Sequence, residues 1–128
     1  MDEQVSILSI TKKKLGILDD YTHFDDEIIL DVNTVFMTLN QLGVGPSEPF
    51  TITGYEQTWD DFFEASTHRK IEAVKTYMAL KVRLLFDPPQ SSYLVNEVQD
   101  QISELEFRML VQAEKDLLPE ADMSGIYK

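Results

Sequence analysis

The stretch Ile71-Glu72-Ala73-Val74-Lys75-Thr76-Tyr77-Met78-Ala79-Leu80-Lys81-Val82-Arg83-Leu84-Leu85-Phe86-Asp87-Pro88-Pro89 decides the fold. Ile71, Val74, Met78, Val82 and Leu85 fall on one helical stripe, and Tyr77, Leu80, Leu84 and Phe86 widen it, so the segment reads as a helix buried on two sides. Ser66 or Thr67 is placed to cap its start. Asp87-Pro88-Pro89 ends it, because the residue before a proline avoids the helical region and proline cannot donate the next hydrogen bond. A reversal follows. From Ser91 to about Leu117, Leu94, Val98, Ile102, Leu105 and Met109 repeat at helical spacing, giving a second helix of 27 residues, about 40 Å long. A compact chain of 128 residues has a radius of gyration of about 14 Å, so this helix crosses the whole domain.

Working back toward the N-terminus, Thr58-Trp59-Asp60-Asp61-Phe62-Phe63 has a threonine cap with Asp61 in the capping-box position, and predicts one or two helical turns that bury Trp59 and Phe62. Before it, Phe50-Thr51-Ile52-Thr53 alternates like one short extended or β segment over 50–54. A lone strand must pair with something. The glycines and prolines of the connection from Gly43 to Gln57 therefore predict a loop that projects and meets a neighbour, with Val44, Pro46, Phe50, Ile52 and Tyr55 as candidate contacts.

Further upstream, Phe24-Asp25-Asp26-Glu27 starts a helix, with Asp25 as cap, Phe24 stapled on Ile29, and Ile28, Val32, Val35, Leu39 and Leu42 inward until Gly43 stops it. Asp2 to Leu15 is a short helix ended at Gly16. Its Lys12-Lys13-Lys14 triplet occupies the last turn, where cations favour the helix dipole. The expectation is an all-α bundle of about four to five helices over residues 1–118, followed by a tail, 119–128, in which Met123, Ile126 and Tyr127 lack a helical partner.

Charge excludes more than composition does. Eleven Lys and Arg face 23 Asp and Glu, and a net charge of -12 is repelled by phosphate backbones, which argues against sequence-specific DNA binding. From Leu15 through His68 there are eleven acids and no Lys or Arg. Between Arg69 and Phe86 the sign flips, with Arg69, Lys70, Lys75, Lys81 and Arg83 against Glu72 alone. The charges either pack around one basic helix inside the monomer or form unlike faces that meet on neighbouring copies, with Arg69 and Lys70 as candidate contacts. There is no Cys, which removes disulfides and thiolate metal sites and suits a reducing compartment. The N-terminal lysines follow the apolar residues, the reverse of a secretory signal, and no apolar run approaches the roughly 20 residues that span a bilayer.

No constellation points to catalysis. The acids Asp19 to Glu27 lack the spacing and turn glycine of a calcium loop, and His23 and His68 have no ligand-spaced partner. Gly43-Val44-Gly45-Pro46 lacks the lysine of a phosphate loop. The aromatic and Met residues recur at core spacing. No enzyme, metal or cofactor is expected.

Several stretches together carry a resemblance. They are Lys13-Lys14-Leu15-Gly16-Ile17 with the acidic helix start after it, Leu42-Gly43-Val44-Gly45, Phe50-Thr51-Ile52-Thr53-Gly54, Thr58-Trp59-Asp60-Asp61-Phe62, Tyr77 through Pro89, and Glu104-Leu105-Glu106-Phe107-Arg108-Met109. From about Ile7 to Lys115 the chain resembles the head-tail connector, or neck adaptor, proteins of tailed bacteriophages and prophages. The Lys81-to-Pro89 stretch is the most specific part. The resemblance implies a non-enzymatic subunit, made in the host cytoplasm, that joins a homo-oligomeric ring, dodecameric when assembled, under the portal protein in the virion neck. DNA would pass through its channel without specific binding, a tail-side stopper or tail-completion protein would dock on it, and no membrane is involved. On that reading the end of the long helix and the tail, with Met123, Ile126 and Tyr127, meet the portal. A rival reading of the same acidity is a helical DNA mimic that inhibits a host nucleic-acid enzyme.

Overall fold

The computed structural model describes residues 6–66 and 72–117. These residues form a bundle of five α-helices, α1 (Ile7–Leu15), α2 (Asp25–Gln41), α3 (Trp59–Ala65), α4 (Ala73–Phe86) and α5 (Ser92–Leu117). Most helix ends are set by local chemistry. Ser6 Oγ caps α1 by accepting from Ser9 N–H at 2.8 Å, and Gly16, at φ 81°, closes it in the left-handed conformation. At α3 the Thr58 hydroxyl accepts from Asp61 N–H while the Asp61 carboxylate accepts from Thr58 N–H, a reciprocal capping box.

α4 is the centre of the bundle and packs against α1, α2 and α5. Val74, Tyr77, Met78 and Val82 are buried on it, opposite Ile28, Val32, Val35, Phe36 and Leu39 of α2. Long α5 adds Ile102 and Met109 to this core. The Tyr77 hydroxyl also donates to Glu106 Oε2 at 2.7 Å, linking α4 to α5.

A second cluster, of rings, fills the end of the bundle at α3. Phe36, Phe50, Trp59, Phe62 and Phe63 lie with neighbouring centroids 5.3–6.1 Å apart, mostly edge to face.

The structure corrects several expectations. Residues 50–53 form no strand: the Asn33 side chain of α2 takes both backbone groups of Ile52, accepting its N–H at 2.8 Å and donating to its carbonyl at 3.0 Å. A side-chain amide replaces the missing neighbour. The β-type pairing among the described residues is an isolated antiparallel bridge between Ser6 and Thr58. Asp25 is the first residue of α2 rather than its cap, because its carboxylate is engaged by Lys12. Ser66 closes α3 instead of opening α4, its hydroxyl donating to Phe62 C=O at 2.7 Å, and Glu72 stands at the start of α4. Leu85 and Leu94 are half exposed because both lie at helix ends beside the Pro88-Pro89 turn. Thr67 and Ile71 lie outside the described residues.

Val82 and Leu85 therefore separate by burial. Val82→Ala is expected to cost about 2 to 3 kcal/mol through lost transfer energy and a residual cavity. Leu85→Ala should cost under about 1 kcal/mol. Urea midpoints check this; equal losses would contradict the placement of α4.

Candidate assembly interface

The loops between helices are held by a buried ammonium. Lys12, in the last turn of α1, has a fully buried side chain, and its Nζ lies within 3.1 Å of four oxygens. These are the carbonyls of Asp19 (3.1 Å) and Tyr21 (2.9 Å), the Tyr55 hydroxyl (2.7 Å) and Asp25 Oδ1 (2.8 Å). The Tyr55 hydroxyl in turn donates a hydrogen bond to Asp25 Oδ2 at 2.8 Å. Burial alone lowers an ammonium's pKa, but the hydrogen bonds to Asp25 and Tyr55 and their charge outweigh it, and Lys12 stands above the ordinary lysine value. Burial raises Tyr55 and Tyr77, and the carboxylates of Asp25 and Glu106, respectively, raise them further.

These shifts set a pH dependence. A group with a raised folded-state pKa contributes stability that is complete below its unfolded pKa and is lost as pH rises through the folded value. For the two tyrosines and Lys12 the unfolded values are about 10 to 10.5. The protein is thus expected to weaken steadily above about pH 10, and Tyr77→Phe should show a shallower alkaline decline. Urea melts at stepped pH measure it; an unchanged slope would exclude Tyr77 as a contributor.

The Lys12 cluster and the ring cluster together place the loop from Gly43 to Gln57. Val44 and Ile52 lie in the core, at 4% and 1% exposure, and Phe50 packs between Phe36 and Phe62. The Pro46 carbonyl accepts from Asn40 of α2. Tyr55 keeps part of its ring in solvent while its hydroxyl is tied to Lys12. This loop is folded onto the body instead of projecting from it. Val44 and Ile52 are core residues of the subunit, because two apolar side chains find cover in its hydrophobic cluster that a free loop would not give them. Arg69, Lys70, Met123, Ile126 and Tyr127 lie outside the described residues.

The exposed surface contains groups that the sequence reading passed over. On the outward side of α5, Tyr93, Glu97, Asp100 and Glu104 are followed by exposed Phe107, Leu110 and Val111. Acid and apolar segments thus succeed each other along one helical face. A groove of about 220 Å³ between α1 and α4 is lined by Lys14, Thr76, Ala79, Leu80 and Arg83. A larger one, about 500 Å³, runs beside Ile10, Lys13, Ile17 and Leu18, where Leu18 is strongly exposed. Helical spacing could have flagged the outward α5 face. The α1–α4 groove depends on tertiary packing and could not.

Among the described residues no group of three or more His, Asp or Glu is placed to hold a metal ion, and no helix is long and apolar enough to cross a membrane. His23 stacks edge-on against Phe24, with centroids 4.7 Å apart.

The sequence profile of the family described as "Phage connector protein" matches residues 7–116, which span α1 to the end of α5, and the chain belongs to that family. Its role is accordingly that of a structural connector in a bacteriophage. Neither curated proteins nor solved structures give a match.

Proposed function

We propose that the chain is the repeating subunit of a ring, dodecameric when assembled, that sits under the portal in the virion neck, continues the DNA channel and offers the docking surface for a tail-side stopper or tail-completion protein. The family match across all five helices carries this reading. The physical chemistry supports it. A closed ring needs two different patches that meet head to tail, and the basic α1–α4 groove and the acidic, apolar face of α5 are such a pair. A net charge of -12 suits a channel through which DNA must slide without condensing onto the wall. The subunit is read as non-enzymatic and as needing no cofactor. Residues 1–118 are taken as the folded domain and 119–128 as a tail that, with Met123, Ile126 and Tyr127, docks on the portal.

Light scattering at rising protein concentration, with and without portal, tests the ring. Large closed oligomers are expected, at least on the portal. A chain that stays monomeric in both conditions and inhibits a DNA enzyme would instead be the acidic mimic. A chain ending at Leu118 tests the tail: circular dichroism should match the full chain, while co-sedimentation with portal falls sharply. Undiminished portal binding would move the docking surface elsewhere.

A further inference from the structure

We infer that the contact between neighbouring copies is made by the outward face of α5 seated across the basic α1–α4 groove of the next copy. This deepens the ring reading and rests on it. Two subunits each carrying -12 repel one another, so their association needs a place where the sign reverses. Among the described residues that place is the end of α1 with the neighbouring face of α4. Lys14 is exposed there, and Arg83, which spends its Nε–H on the Asp87 carbonyl at 2.6 Å, has no carboxylate partner among the described residues. Of the basic residues elsewhere on the described surface, Lys75 pairs with Glu72, Arg108 pairs with Glu104 and Lys81 lies over the Tyr77 ring, while Lys115 stands apart in the last turn of α5.

The complementary surface is on α5. Glu97 and Asp100 are exposed and make no ion pair among the described residues, and two turns further along the same face exposed Phe107 and Val111 begin an apolar patch. Acid and apolar group are thus about 10 Å apart along the helix. The acceptor has the same two characters: Lys14 stands beside Leu80 in one groove, and one step around α1 Ile10, Ile17 and exposed Leu18 line the other. Charge opposes charge while apolar surface meets apolar surface. Because the two faces differ, the contact does not close on itself as a dimer and propagates from copy to copy. A partner lacking an acidic-then-apolar helix would leave Lys14 and Arg83 facing no carboxylate.

Charge exchange tests this. Two full-length double variants are made, Lys14→Glu/Arg83→Glu and Glu97→Lys/Asp100→Lys, with circular dichroism confirming that each folds. If Arg83→Glu unsettles the end of α4, Lys14→Glu alone, at an exposed position, replaces that variant. Each variant alone is expected to lose the large oligomer that wild type forms. Mixed one to one, they should recover it, since each supplies the face that the other can accept. Assembly of either variant like wild type, or a mixture that stays unassembled, overturns this interface while leaving the ring intact as a reading. A wild-type chain that never assembles, with portal or without, overturns both.

Discussion

Replacing Lys12 by methionine is expected to remove about 3 to 5 kcal/mol of stability, the loss that follows when one partner of a buried ion pair is deleted. Methionine fills much of the same volume, so packing changes little. What it leaves behind is the largely buried Asp25 carboxylate, the Tyr55 hydroxyl and the carbonyls of Asp19 and Tyr21, all losing their shared donor. The urea midpoint should fall accordingly. Adding Asp25→Leu should return part of the loss, because the stranded charge goes with it. A Lys12→Met chain within about 0.5 kcal/mol of wild type would mean that the ammonium contributes little beyond its stem.

Gly45→Ala should cost about 2 to 4 kcal/mol, for two reasons that add. The backbone stands at φ 104°, outside the range that side chains tolerate, and a Cβ there would lie 2.8 Å from Cζ of Phe62. The phenyl ring cannot swing away, since Phe36, Phe50, Trp59 and Phe63 surround it. Gly16 is the control. Its φ is 81° but open space surrounds it, so Gly16→Ala should cost only about 1 kcal/mol. Thermal unfolding of both chains decides it; equal shifts would show that the close approach to Phe62 is relieved at no cost.

The parts of the fold legible in the sequence are those fixed within a few residues. Thr58 with Asp61, Gly16 after the lysines, and the paired prolines after Asp87 each act on the backbone beside them, and all three appear as read. Lys12 was hidden in a triplet. Its place four residues after Leu8 and three before Leu15 puts it in the apolar stripe of α1, and that position was the available signal for an inward lysine. Asp25 and Tyr55 could not be joined to it, because they come from later segments that only the folded chain brings near. Asn33 gave no signal at all, since a polar residue in a helix is ordinarily a solvated one. The glycines and prolines of the 43–57 loop correctly marked irregular backbone, but Val44 and Ile52 are apolar and buried there, and this outweighed exposure. The unlike faces proposed for assembly depend on which charges the monomer leaves unpaired, a property of the packed helices and not of the order of residues.

The ammonium of Lys12 also sets an order of events in time. It joins α1 to Tyr55, 43 residues away, whereas α4 and α5 meet across a short proline turn. Local helix pairs close with little loss of chain entropy, and contacts of long sequence separation close late. The α4–α5 hairpin is thus expected to form early, and the Lys12 cluster to fasten after the barrier has been crossed. In a chevron experiment the Lys12→Met loss is expected to fall mainly on the unfolding limb, with refolding nearly as fast as in wild type. The clasp works as a latch on the finished subunit, lengthening its lifetime more than it hastens its birth.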